Sequence, residues 1–254
     1  LKLWLQNISR ARFNRLNYHT RSLCGHFVQV PQARLKAQYD VHSNLGCDDV
    51  VRAFEDSRGD VWVSCNSPDV ALTRWSRQRN EFHRFGAADN WDPEQRAALI
   101  REPKPGEIWV ISLHGVHRLR GGRFESFALD GAKIGQIRDG IFDSAGRLWL
   151  ATTRDGVWRC DQPSAPHPQF RQYTVNEGLS VNGIRSLAMD LKGYLYAGTV
   201  RGVDRIDPEA PVGKQYIRHF TAADGLPNSE HSASYTDSEG RIWFGTLVPT
   251  CRNK

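Results

Sequence analysis

Ile184-Arg-Ser-Leu-Ala-Met189-Asp190-Leu-Lys-Gly193-Tyr-Leu-Tyr196-Ala-Gly-Thr199-Val-Arg-Gly202-Val-Asp-Arg-Ile206 is the stretch on which the fold turns. An apolar run ends at Asp190. A glycine then supplies the positive φ of a tight hairpin, and a second, aromatic strand follows. Thr199 to Gly202 makes the next turn, 203–206 alternates as a third strand, and 216–221 reads as a fourth. Each of the four runs is too short for a helix and is bounded by turn residues.

Outward from this unit the same mark returns. Asp56-Ser-Arg-Gly59-Asp-Val-Trp62, Asp143-Ser-Ala-Gly146-Arg-Leu-Trp149 and Asp237-Ser-Glu-Gly240-Arg-Ile-Trp243 align with Asp190-Leu-Lys-Gly193-Tyr-Leu-Tyr196 without gaps. A degenerate copy, Pro103-Lys-Pro-Gly106-Glu-Ile-Trp109, falls between the first two, and Leu3-Trp4-Leu5 reads as a further copy cut at its start. Glycines 59, 106, 146, 193 and 240 are spaced by 47, 40, 47 and 47 residues. A period of that length marks a solenoid or a propeller, because one such unit cannot bury its own faces. Four strands and no helix per unit point to an all-β fold, a β-propeller of four-stranded antiparallel blades. About six registers are present, at 1–43, 44–90, 91–130, 131–177, 178–224 and 225–246, and the terminal ones are partial. The tail 247–254 leaves the repeat, so the chain reads as an incomplete propeller whose repeat continues beyond both ends. One segment reads two ways. Residues 92–100 have the look of a capped helix with proline at its first position, yet the register puts 97–102 where other units carry a first strand. Strand is favoured, and the flat alternation leaves helix open.

Composition narrows the function classes. The net charge of +6 is carried mostly by arginines spread along the whole chain rather than in one helix or tail, which disfavours nucleic acid as a partner. Cys24, Cys47, Cys65, Cys160 and Cys251 form no C-x-x-C pair, so neither a zinc site nor a disulfide framework is indicated. No apolar run approaches the ~20 residues of a membrane helix. Nucleophile elbow, zinc-protease helix, phosphate loop and EF-hand spacings are all missing, and no cofactor or metal is implied. The repeated aspartates are expected to cap their own turns rather than bind calcium. The aromatics at 62, 109, 149, 196 and 243 are expected to pack between blades rather than to stack sugars. The nine histidines are scattered, and most are expected at the surface.

Strand parity suggests where recognition sits. The uniform D-x-x-G turns share one end of the blades. The T-x-x-G turns and the inter-blade links share the other, and there the side chains vary. Candidate ligand residues on that face are Arg154, Asp155, Asn182, Arg201, Asn228 and His231. Arg138 and Arg185 occupy one equivalent place on the first strands of two blades, which suits an anionic or sugar-acid ligand, although solvated or turn-paired arginines are the commoner outcome.

The composite I-R-x-L-x-x-D-x-x-G-x-L-W-x-x-T-x-x-G-V-x-R, followed by an aromatic strand and x-G-L-x-x-N, resembles the two-component regulator propeller repeat. Its best matches are residues 137–159 and 184–205, with Glu177-Gly-Leu-Ser-Val-Asn182 and Asp224-Gly-Leu-Pro-Asn228 as links. The resemblance implies the periplasmic, non-catalytic sensor part of a bacterial receptor. A histidine kinase or diguanylate cyclase beyond a membrane span would then give the output. The partners implied are a small-molecule or saccharide ligand and the rest of the receptor chain, with a dimer of the full receptor left open. Two other readings stay open: a propeller enzyme of lyase, lactonase or glycosidase type, and a passive protein-interaction propeller.

Overall fold

The computed structural model describes residues 3–5, 37–39, 45–47, 49–66, 71–92, 94, 97–113, 115–127, 135–210, 217–227 and 230–246. Its elements are strands joined by tight turns and by three short 3-10 turns at Ala87–Asp89, Val175–Glu177 and Ala222–Asp224. The chain divides into two compact units, residues 1–112 with 117–125, and residues 113–116 with 126–254.

In the first unit, β1 (Leu3–Leu5) pairs antiparallel with β2 (Ala37–Tyr39). Tyr39 stands eleven positions before Val50, the spacing that separates Tyr173 from Ile184 and Phe220 from His231, so β2 falls where other blades carry their fourth strand. Strands β3 (Val50–Glu55), β4 (Val61–Cys65), β5 (Leu72–Ser76) and β6 (Glu81–Arg84) form a four-stranded meander. The next meander is β7 (Ala97–Lys104), β8 (Glu107–Ser112), β9 (Val116–Arg120) and β10 (Arg123–Phe127). The ambiguous segment is therefore a strand, paired through Ala97, Leu99 and Ile100 with β8. Proline at 93 could open a helix, but Ala97, Leu99 and Ile100 are needed on a buried first strand.

In the second unit, β11 (Ile137–Phe142), β12 (Leu148–Thr152), β13 (Val157–Cys160) and β14 (Phe170–Tyr173) make one meander. Strands β15 (Ile184–Met189), β16 (Leu195–Thr199), β17 (Gly202–Ile206) and β18 (Ile217–Phe220) make another. Strands β19 (His231–Thr236) and β20 (Ile242–Thr246) pair with each other. First strands of successive blades lie side by side, β15 between β11 and β19. This is the repeating four-stranded blade of a β-propeller, as the spacing of the glycines predicts.

The repeated turn explains its own residues. In Asp143-Ser-Ala-Gly146, one carboxylate oxygen accepts the N–H groups of Ala145 and Arg147 at 3.0 and 2.9 Å. The other accepts the indole N–H of Trp149 at 2.9 Å. Asp56 and Trp62, Asp237 and Trp243, and Asp190 with the Tyr196 hydroxyl repeat the arrangement at 2.9, 2.8 and 3.1 Å. In the degenerate copy two glutamates divide the work. Glu102 accepts the Gly106 N–H at 2.6 Å and Glu107 accepts the Trp109 indole at 2.8 Å. Turn and aromatic strand are one hydrogen-bonded device, and the aspartates cap their turns as expected.

The recurring arginine of the third strand belongs to the same device. Arg159 stands opposite Trp149 across β12 and β13 and lays its guanidinium 5.3 Å from the ring. Arg74 over Trp62 and Arg118 over Trp109 do likewise at 5.7 and 5.5 Å. Trp149 thus sits under a cation and against Tyr173, in a buried cluster with Ile184, Leu187 and Leu195 of the following blade. Trp62 occupies the same seam in the first unit, with Ile100, Ile108 and Phe124 of its next blade. At Trp62 and Trp149 the aromatic repeat is inter-blade packing, whereas Trp243, in the last described pair of strands, is 57% exposed. Only Gly can close the second turn of the best blades, because a Cβ on Gly156 would lie 1.9 Å from the Tyr173 carbonyl, and one on Gly202 would lie 2.1 Å from that of Phe220.

Cys47 and Cys65 are joined by a disulfide, although their spacing of 18 gave no sign of it. Cys47 precedes β3 and Cys65 ends β4, so the bond ties the entering link to the second strand of its own blade. Cys160 is free and buried.

Candidate functional site

The first strand of every described blade opens with a register shift, between Val50 and Arg52, Ala97 and Leu99, Ile137 and Asp139, Ile184 and Ser186, and His231 and Ala233. Such a bulge leaves one residue outside the ladder and re-aims its side chain. Arg138 and Arg185 are the bulged residues of their blades. Arg138 is exposed and makes no ion pair among the described residues. Arg185 lies 2.8 Å from Glu230 in an ion pair whose angle is not that of a hydrogen bond.

Next to each bulge lie the second-to-third turn and the incoming link, and these do meet. The Thr153 N–H donates to the Gln136 carbonyl at 3.0 Å, and the Asp155 carboxylate accepts the Gly135 N–H at 2.6 Å. Gly156 donates to the Asn182 carbonyl at 2.8 Å, while the Asn182 side chain accepts the Val175 N–H at 2.9 Å. Asp155 and Asn182 therefore hold the frame of this face. Replacing Asn182 with alanine leaves the Val175 N–H without its acceptor, and we expect a stability loss of about 1 kcal/mol in a denaturant titration. Arg154 and Arg201 are exposed on the two turns, and Arg201 reaches the Ser180 carbonyl only at 3.5 Å. Asn228 lies outside the described residues.

His231 takes the place that Ile137 and Ile184 fill in the preceding blades. It is fully buried, edge-on to Phe244 at 5.9 Å, and neither ring nitrogen has a hydrogen-bond partner. Burial therefore pulls its imidazole below the usual histidine range, with the Pro227 carbonyl acting weakly the other way. It is not an exposed ligand contact.

A further set of side chains escaped the sequence reading. The variable position of the third strand, G-V-x-R, faces the link that enters its own blade. Thr73 reaches the Leu45 carbonyl, and His117 packs edge-on against Trp91 at 5.0 Å. Asp204 accepts both the amide and the hydroxyl of Ser180 at 2.9 Å. Its other oxygen holds Nδ1 of His219 at 2.7 Å, leaving a half-exposed imidazole oriented by a buried carboxylate. His117 is buried as well, not a surface residue, and burial lowers its pKa to about 4 against a small opposing pull from Asp92. The links carry their own signal. Thr174 and Glu177, and Thr221 and Asp224, form reciprocal caps around their 3-10 turns. Among the described residues no group of His, Cys, Asp and Glu could hold a metal.

The blade geometry defines a β-propeller, and solved structures share it. The extracellular domain of the putative one component system BT4673 from B. thetaiotaomicron matches at 21% identity with a TM-score of 0.61, over 78% of this chain and 26% of that one. That of the putative hybrid two component system BT3049 from the same organism matches at 17% and 0.52, over 80% and 33%. A catalytically inactive virginiamycin B lyase from Staphylococcus aureus, with quinupristin, matches at 15% and 0.60, over 78% and 63%. No family model and no curated protein matches the sequence. The chain thus spans about a quarter to a third of the length of the two extracellular domains. At these identities the likeness is one of fold, and that fold is the one which the resemblance to the two-component regulator propeller repeat implies.

Proposed function

We propose that this chain is a ligand-sensing segment of the extracytoplasmic propeller of a bacterial transmembrane two-component receptor, with no catalysis of its own. One observation carries the reading. The repeated polar residues are consumed by the frame (turn aspartates by indoles and amides, third-strand arginines by aromatic rings), so recognition is left to exposed side chains that vary between blades, such as Arg154 and Arg201. The shared fold with two extracellular sensor domains supports the receptor context. The Cys47–Cys65 disulfide suits an oxidising compartment. No helix of the described residues is long and apolar enough to cross a membrane, so any anchor lies in other segments. On the link face Arg138, Arg154 and Arg201 offer exposed cations beside the Arg185–Glu230 pair, which suits an anionic or sugar-acid ligand.

The lyase neighbour and the Asp204–His219 pair favour a second reading, a propeller enzyme. That pair sits within one blade, and Asp204 is already bound to the Ser180 link. Two measurements separate the readings. Alkaline phosphatase fused in the native gene after residue 246 should be active, and the purified chain should not turn over lactones or cyclic depsipeptides. An inactive phosphatase fusion with an active cytoplasmic reporter would remove the sensor reading. Turnover abolished by His219→Ala would replace it with the enzyme.

A further inference from the structure

The turn between β13 and β14, residues 161–169, is longer than its counterparts at 77–80 and 121–122 and about as long as the one at 207–216, and it closes over a cleft of about 360 Å³. The cleft lies at the same end of the blade as the D-x-x-G turn, away from the link face, since consecutive meander turns alternate ends. Its walls are Arg159 and Asp161 from the end of β13, Gln162, His167 and Gln169 from the turn, and Phe170 and Arg171 from β14.

Its charges are unbalanced in a way the repeat makes visible. Arg159 and Arg171 stand directly opposite each other in the β13–β14 register. Like charges so placed are unfavourable. In the preceding blade the fourth strand answers the same arginine with a carboxylate, Glu125 at 2.6 Å from Arg118. Here the fourth strand brings a second cation instead, as it does in the following blade, where Arg218 faces Arg205 but has Asp224 at 3.8 Å. Arg159 is held on three sides, by Asp161, by the Pro208 carbonyl at 2.9 Å and by the Trp149 ring. Arg171 is exposed, lines the cleft and has no hydrogen bond or ion pair among the described residues, while the Asp161 carboxylate beside it is taken by Arg159. The amides of Gln162 and Gln169 supply neutral donors and acceptors around it, and the Phe170 ring an apolar wall.

We propose that this cleft binds a small organic carboxylate of monosaccharide size, with Arg171 as the group that takes the carboxylate. A planar guanidinium receives a carboxylate through two parallel hydrogen bonds. The volume is at the lower end of the range of small-molecule sites, which limits the occupant to about one sugar ring. The amides suit hydroxyl groups, and Phe170 suits the apolar face of a pyranose. The site is separate from the link face described above and does not depend on it.

Glucuronate is the probe, with glucose as the uncharged control, titrated into the 254-residue chain and followed by amide chemical shifts. Saturable shifts at residues 159–171 are expected with glucuronate and not with glucose. Arg171→Ala should weaken the glucuronate affinity about tenfold or more, the loss that a charge-assisted bidentate contact carries. Arg171→Lys should recover only part of it. Lys192→Ala, at an exposed cation outside the cleft, should leave it unchanged. Equal affinity in the wild type and Arg171→Ala, equal response to glucose, or no saturable shift in this loop would overturn the assignment. Shifts at 135–138 and 182–185 lost in Arg138→Ala would assign the anion to the link face instead.

Discussion

Replacing Asp143 with alanine should cost the propeller about 4 kcal/mol. Three bonds disappear with the carboxylate, those to the N–H groups of Ala145 and Arg147 and to the indole of Trp149. The indole is fully buried, so its N–H cannot turn to water, and a buried donor left unmade costs ~1–3 kcal/mol. The two amides add ~1 kcal/mol each. Arg147 also loses its carboxylate partner at the mouth of the turn. The repeat supplies an internal control. Asp237 makes the same bonds to Glu239, Arg241 and Trp243, but that tryptophan is 57% exposed. Asp237→Ala should therefore move a urea midpoint far less than Asp143→Ala. Equal shifts for the two variants would show that the turn bonds, and not the buried indole, carry the energy.

Acidification should destabilise the chain by about 3 kcal/mol through His117 alone. Its folded pKa of about 4 lies below the 6.5 of an unfolded histidine. Above pH 6.5 the ring is neutral in both states, and its neutral burial is fully tolerated. Between 6.5 and 4 the unfolded chain takes up a proton that the folded chain refuses, so stability falls by about 1.4 kcal/mol per pH unit. Below pH 4 both states are protonated and the slope ends. His231, also lowered by burial, adds to the loss just below pH 6.5. His117→Thr copies Thr73, the residue at this place in the preceding blade, and should flatten the dependence of the unfolding free energy in that window. A slope unchanged by His117→Thr would mean that the ring is protonated in the folded state and sits elsewhere.

Much of this architecture is legible before any coordinates. Glycines at a mostly 47-residue period, each followed by a tryptophan or tyrosine, fix the blades, and the register favours strand over helix at 97–102, where the structure has β7. The pairing of each aspartate with an aromatic six positions on was in plain view as a spacing. It was not read as a bond, because a capping aspartate explains its turn with one oxygen and nothing in the sequence asks about the other. The third-strand arginine escaped for a similar reason. Its partner ring is nearby only across the β12–β13 register, which no local pattern prints. The link face fared differently. Parity brought its turns and links to one end, and the structure joins them there. Asp155 and Asn182 serve the frame, however, and His231 is buried where the two preceding blades carry isoleucine. A polar residue in a variable loop looks the same in sequence whether it faces ligand or caps a neighbouring amide. Position x of the third strand went unread because Thr73, His117, Trp158 and Asp204 share no chemistry. What Thr73, His117 and Asp204 share is a place beside the incoming link.

A sensing propeller of the kind proposed above has its output elsewhere in the same polypeptide. Sequencing the complete reading frame that encodes it tests that claim most directly. Further blades carrying the D-x-x-G-x-x-W spacing, then a membrane-spanning helix and a histidine kinase or diguanylate cyclase module, are the predicted result. A reading frame that closes the propeller and stops, with neither a membrane span nor an output module, would contradict it.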